Sequence, residues 1–431
     1  MVLSNVSPSL FTAIFIVALA LSTGVRLWLA RRHAAHVAAH RSMVPEAFAD
    51  RIGLAAHRKA ADYTIARTQF GMIETLVDVG VLLALTLGGI LGGLIGWTST
   101  LFTQPLVQDL ALIVAVGFLA SLVALPFSYW HTFVIEARFG FNRMTLKLWL
   151  ADLAKGALLG LALGLPLAAL ALWLMRVAGP LWWIEVWVAW LAFQVLMLAL
   201  YPTVIAPLFN KFSPLPDGAS RERIEALLAR CGFESRGLFV MDGSRRSSHG
   251  NAFFTGFGRA KRIVFFDTLL SRLAPDEIEA VLAHELGHFK LKHVVKRMLW
   301  MAATSLAFLA LLAWLMTSPW FYEGLGVAYV PGRPGIALVL FFLVLPAFTF
   351  AFGPLSSLYS RRHEFEADAY AAEHASAASL VLALVKLYED NAATLTPDPL
   401  YSAFYDSHPP AVVRVAKLQS PRHEPVSRLA A

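Results

Sequence analysis

In the segment His284-Glu285-Leu286-Gly287-His288, two imidazoles lie four residues apart with a carboxylate beside the first. On a helix of 3.6 residues per turn the histidines stand one above the other and can converge on a single ion. Glu285 projects beside them, where it can take a proton from a water held by that ion. Zn²⁺ held in this way lowers the pKa of its water to about 7 and polarises a scissile carbonyl, so the expected chemistry is metal-assisted hydrolysis. The bland alternative is a solvated helix that carries the pattern by chance, which 13 histidines make conceivable. The preceding apolar residues Ile278, Val281 and Leu282 argue against it, because they belong to a packed helix, and a packed helix fixes ligand geometry.

A catalytic zinc site has three protein ligands and one open position. In metzincins the third is a histidine ten residues after the first; here that position is Val294, and the accompanying glycine position is Leu291, which excludes the class. His293, five residues beyond His288, falls on the wrong side of a continuous helix and is expected at a membrane boundary. A second candidate segment is Arg362-His363-Glu364-Phe365-Glu366-Ala367-Asp368. If it is helical, Glu364 and Asp368 share a face and Glu366 points roughly opposite. One carboxylate can then bind metal while the other fixes a ligand by hydrogen bonding. A merely acidic, solvated helix face is the competing reading.

The elements that must bring these segments together are foreshadowed by composition. Of 431 residues, 58% are hydrophobic and only 15% charged, against roughly 25% charged in an ordinary soluble domain. Mean hydropathy is +0.61. Disorder, collagen and a basic nucleic-acid-binding domain are all disfavoured, and no nucleic-acid partner is expected. The single cysteine, Cys231, rules out an intramolecular disulfide framework and any multi-cysteine metal site.

A bilayer core needs roughly 20 mostly apolar helical residues. Seven such runs lie near 10–28, 71–97, 106–130, 157–175, 182–205, 298–317 and 335–358. The first lacks a preceding Lys or Arg and is followed by Arg31 and Arg32, which fits a retained helix better than a cleaved signal. The positive-inside rule then puts the N-terminus outside. Threading the remaining runs leaves only Arg176 and Arg333 of the 36 basic residues in external segments. The net charge of +7 is thereby explained by cytoplasmic loops facing an anionic leaflet.

The expected organisation is mainly α: a membrane region of five helices over 1–205, a cytoplasmic peptidase domain over 206–297, helices six and seven over 298–358, and a cytoplasmic part over 359–431 that completes the site. Within the second part, a helix over 221–231, a strand over 237–241, a hairpin of 252–257 with 262–266 around Gly258, and the metal helix over 276–292 are expected. Runs six and seven form an out-and-back pair, which returns the Glu364 segment to the side where the His284 helix ends. His33, His36 and His40 read as a solvated juxtamembrane segment and not as a second metal site.

Several separate motifs in correct order resemble the integral-membrane zinc endopeptidases of the CAAX prenyl protease type. They are Phe133-Val134-Ile135-Glu136-Ala137-Arg138-Phe139-Gly140-Phe141-Asn142-Arg143-Met144-Thr145, the stretches 246–257 and 261–270, the two metal motifs, and Ser407-His408-Pro409-Pro410 with Arg414. The resemblance implies seven membrane helices enclosing a chamber, with a gluzincin-type domain and a small β-hairpin or sheet at its cytoplasmic end. It implies one Zn²⁺ per chain held by His284, His288 and Glu364, Glu285 as general base, and Asp368 fixing a ligand. It also implies that His408 and Arg414 act on the substrate carbonyl or tetrahedral intermediate, and that Asn251, Ala252 and Phe253 pair with extended substrate. From spacing alone, His408 reads as a surface or loop histidine and Pro409-Pro410 as a helix start. Glu74 and Asp78, one turn apart in the second run, either face such a chamber or sit at the interface, and both readings are open.

Hydrolysis of peptide or protein substrate within a lipid bilayer is the reading adopted, with C-terminally prenylated chains as the substrate the resemblance implies. A membrane-protein quality-control peptidase without prenyl specificity is the close alternative, because the alanine- and leucine-rich sequence is bacterial in style and suggests a bacterial inner membrane with the site facing the cytoplasm. An ion or metal transporter is the rival from another class. The metal motif on a cytoplasmic helix counts against it, since a transport site belongs near the bilayer midplane.

Overall fold

The computed structural model describes residues 6–233, 237–255 and 262–420. Seven helices are long and apolar enough to cross a membrane: Pro8–Ala39, Leu54–Leu85, Pro105–Glu136, Leu146–Val177, Gly179–Phe209, His293–Leu315 and Pro334–His374. The second crossing differs from the 71–97 run. Its helix begins at Leu54, and the chain turns at Thr86–Gly89, with Gly89 in the left-handed region, before a separate short apolar helix Ile90–Leu101. The glycine pair supplies the turn, since a Cβ on Gly88 would lie 2.8 Å from the Ala84 carbonyl oxygen.

Polar residues of the second helix decide what that helix faces. Two cavities, about 970 and 730 Å³, share Arg26, Glu74, Thr75 and His131 in their walls, so they form one continuous chamber. Glu74 lines both parts and Asp78 the second, which settles the two open readings in favour of the interior. Carboxylates at this depth are tolerable because they face an open cavity and not lipid.

The segment between the fifth and sixth crossings contains a four-stranded sheet in the order β1-β2-β4-β3. Its strands are β1 Phe212–Pro214, β2 Leu238–Met241, β3 Ala252–Thr255 and β4 Arg262–Phe266. β3 and β4 pair antiparallel as expected, with Phe253 opposite Val264; the turn around Gly258 lies outside the described residues. β2 joins β4 in parallel, with Val240 opposite Phe265, so the hairpin is part of a mixed sheet. Ile263 and Phe265 enter one core with Leu227, Ile278, Leu282, Leu286 and Val415. That core surrounds the helix Pro275–Lys290, whose Glu277 side chain accepts from the Ala274 N–H at 2.7 Å and caps its start.

His33, expected to be solvated, is buried instead. Its ring stacks on Tyr401 at 4.0 Å and its Nδ1 accepts from the Asp398 N–H at 3.2 Å, because the C-terminal segment folds back against the first membrane helix. Among the described residues His33, His36 and His40 form no metal-ligating group.

Candidate metal centre

The metal helix Pro275–Lys290 and the helix Gly353–His374 each adjoin a membrane helix. The first is followed directly by His293–Leu315, and the second continues Pro334–Thr349 through a short tight turn. The out-and-back pair of crossings therefore delivers both halves of the site. Gly287 permits their close approach: a Cβ there would lie 3.0 Å from the Ala367 Cα and 3.2 Å from its carbonyl oxygen.

Three donors converge between the helices. His284 Nε2 lies 3.2 Å from His288 Nε2 and 3.5 Å from Glu364 Oε2, and His288 Nε2 lies 3.3 Å from Glu364 Oε1. Ligands of about 2.0–2.1 Å bond length in a tetrahedral shell stand roughly 3.3 Å apart, so the spacing fits zinc. The tautomer of His284 is set from behind: its Nδ1–H faces Asp368 Oδ1 at 2.8 Å, and a carboxylate accepts only. That leaves its Nε2 lone pair aimed at the convergence point.

Asp368 is itself held by Arg414, whose Nε and terminal nitrogen donate to its two oxygens at 2.9 and 2.6 Å. Burial lowers the His284 pKa, but the hydrogen bonds to Asp368 and Glu364 together outweigh it and carry the group up to about 9. Such a cage favours a cation, whether proton or metal ion.

Glu285 is half-buried beside the donors, and among the described residues no hydrogen bond or ion pair occupies its carboxylate. His408 reaches Glu364 Oε2 through Nδ1 at 2.6 Å while 61% of its side chain stays exposed. It is thus neither a remote surface histidine nor a buried one. The Arg414 side chain is 6% exposed and its fork is committed to Asp368, with a third nitrogen 3.9 Å from Glu364. Asn251 and β3 lie at the edge of the sheet, and Asn251 also lines the chamber.

The comparisons with known proteins agree with this arrangement. Residues 33–211 match the family described as CAAX prenyl protease N-terminal, five membrane helices, and residues 214–422 match Peptidase family M48. A rice protein, CAAX prenyl protease 1 homolog, is 41% identical over 319 residues, covering 73% of this chain and 74% of its own. The chain belongs to peptidase family M48.

Two further likenesses cover most of this M48 peptidase. The CAAX prenyl protease 1 of Saccharomyces cerevisiae is 37% identical, with 72% of each chain covered. The crystal structure of S. mikatae Ste24p superposes with a TM-score of 0.90 at 31% identity, covering 95% of this chain and 99% of that one. The M48 peptidase is accordingly a multi-pass integral membrane protein and a zinc metalloendopeptidase of the CAAX prenyl protease kind. No likeness favours a transporter.

Two clusters, one of them in contact with His288, escaped the sequence reading. Glu136, noted only as part of a signature, accepts from the Tyr63 hydroxyl and lies 3.4 Å from His249 Nε2, while His249 stacks on Phe141 and its Nδ1 meets Asn391 Oδ1 at 3.1 Å. The two signatures are therefore one joint between the membrane helices and the segment leading to β3. His293 is the first residue of the sixth membrane helix, at the boundary where it was expected, but its side chain is fully buried against His288. The metal helix ends at Lys290 and Lys292 adopts φ 58°, so His293 turns back to the site instead of continuing around the helix. The signal was present only as a fifth-position histidine, which helical periodicity read wrongly.

Proposed function

We propose that this chain cleaves C-terminally prenylated peptides at the membrane surface, with one Zn²⁺ held by His284, His288 and Glu364. The observation that carries the proposal is the convergence of three donors at 3.2–3.5 Å next to the uncommitted Glu285 and the chamber-lining edge at Asn251. Zinc bound there would polarise the scissile carbonyl and lower the pKa of water. Glu285 takes the proton of the attacking water and passes it to the leaving amine. Asn251, Ala252 and Phe253 offer main-chain partners to an extended peptide at a strand edge. The outward edge of His408 donates to the oxygen on which negative charge develops. Arg414 acts through Asp368, keeping His284 in the ligating tautomer and adding positive charge behind the site.

The prenyl preference rests on the names of the relatives and on a chamber of a size to take a lipid chain. A cytoplasmic active site is supported by the basic residues gathered on that side. A bacterial inner membrane rests on composition alone, and the relatives named above are eukaryotic. Matched farnesylated and unmodified peptides test the substrate: burying even two methylenes is worth about 1.6 kcal/mol, so kcat/KM should favour the farnesylated peptide by more than tenfold. Equal cleavage would favour a quality-control peptidase without prenyl specificity.

A further inference from the structure

Behind His288, on the side away from Glu364, three polar side chains form a chain of contacts. His288 Nδ1 lies 3.0 Å from His293 Nδ1, and His293 Nε2 lies 2.9 Å from Glu366 Oε2. Glu366 is neutralised from its far side, with Arg362 Nε on Oε1 at 2.9 Å and Lys296 Nζ 4.0 Å from Oε2. His293 is fully buried, and its ring is sandwiched flat against His363 at 4.1 Å and 12°.

The protons in this chain follow from donor and acceptor types. A charged carboxylate only accepts, so His293 carries its proton on Nε2. A neutral His293 then presents a lone pair at Nδ1, which can only accept, and His288 must donate from its own Nδ1. The one nitrogen of His288 left with a lone pair is Nε2, the atom 3.3 Å from Glu364 and 3.2 Å from His284. A doubly protonated His293 would invert this order and put a proton on the ligating nitrogen.

His293, His363 and Glu366 also bring donor atoms close enough together to invite a second metal. The ring geometry argues against it. In-plane lone pairs of two nearly parallel imidazoles run alongside each other and do not meet at one ion, and both Glu366 oxygens already accept from Arg362 and His293.

We propose that His293 and Glu366 are positioning residues for the metal centre: Glu366 fixes the tautomer of His293, which in turn holds His288 in the Nδ1–H form with Nε2 turned to zinc. The two ligating histidines would then be oriented by unlike devices, His284 by a carboxylate directly and His288 by a carboxylate acting through a second imidazole. This rests on reading His288 as a zinc ligand.

The test uses full-length protein in detergent, with Zn²⁺ affinity measured by competition against a chromophoric chelator and the visible spectrum recorded after Co²⁺ substitution. His293→Ala and Glu366→Ala should each weaken zinc binding by about 10–100-fold and shift the cobalt bands. Glu366→Gln, whose carbonyl still accepts from His293, should recover most of the loss. His363→Phe, which keeps the flat contact, should bind one zinc as the parent does. Parental affinity and cobalt spectrum in both alanine variants would overturn the proposal, as would a second zinc per chain lost in His363→Phe. If His293→Ala fails to fold, the contrast between Glu366→Ala and Glu366→Gln decides. His288→Ala separates the underlying reading: retained parental zinc affinity there would mean that His288 is not a ligand.

Discussion

Glu285→Ala should purify with its full complement of zinc and hydrolyse peptide roughly 10²- to 10⁴-fold more slowly than the parent, the range over which a positioned general base contributes. The two halves of this expectation come from different features. Metal retention follows because the three converging donors belong to His284, His288 and Glu364, while Glu285 makes no hydrogen bond or ion pair among the described residues. Truncating it leaves no partner stranded, and the helix is held by the buried Leu282, Ala283 and Leu286. Loss of rate follows because the carboxylate is the uncommitted base beside the donors. Glu364→Ala gives the opposite pairing, with metal and activity lost together. Zinc analysis and single-turnover cleavage on the same preparations distinguish the two patterns, and parental rates in Glu285→Ala would remove Glu285 from the mechanism.

What could be read in advance depended on whether the deciding contact was local. His284, Glu285 and His288 were legible because one helix sets their geometry by itself. Glu364 could be favoured over its neighbours only through family resemblance, since a lone acidic helix face is ambiguous; its approach to His284 depends on two membrane helices and on the missing Cβ of Gly287. The pairing of Arg414 with Asp368 was not legible, because the two lie 46 residues apart and no spacing rule reports such a contact. His293 was rightly placed at the membrane boundary, but the side it faces was missed because periodicity was carried past Lys290 to the left-handed Lys292. The second membrane helix was displaced because polar residues of 54–70 and the chamber-facing Glu74 and Asp78 dilute its hydropathy, while the apolar Ile90–Leu101 beyond the Gly88-Gly89 turn inflated the far end.

The two basic residues set apart by the charge partition lead to the largest expected effect on folding. Arg333 and Arg176 both turn inward to Asp109, which is completely buried: Arg333 Nε lies 2.5 Å from Oδ1 and Arg176 2.7 Å from Oδ2, and the Gly335 N–H donates to Oδ2 at 3.1 Å. The fit is tight, since a Cβ on Gly335 would stand 2.5 Å from that of Asp109. Arg333 also donates to Gln108 and Ser99, so this cluster ties the short helix Ile90–Leu101, the third crossing and the start of the last one. Removing the carboxylate leaves a buried guanidinium without its counter-charge, a change that costs about 3–5 kcal/mol. Asp109→Ala should therefore unfold in detergent at markedly lower temperature or denaturant. Pairing it with Arg333→Met should restore part of the loss, because it removes the more deeply buried guanidinium and leaves only Arg176, the more exposed of the two, without its partner. Zinc affinity of the folded fraction should be unchanged, since Asp109 sits roughly 40 Å along its helix from Glu136, near which the peptidase part docks. If Asp109→Ala matched the parent in stability, Arg176 and Arg333 would be held by something other than this carboxylate.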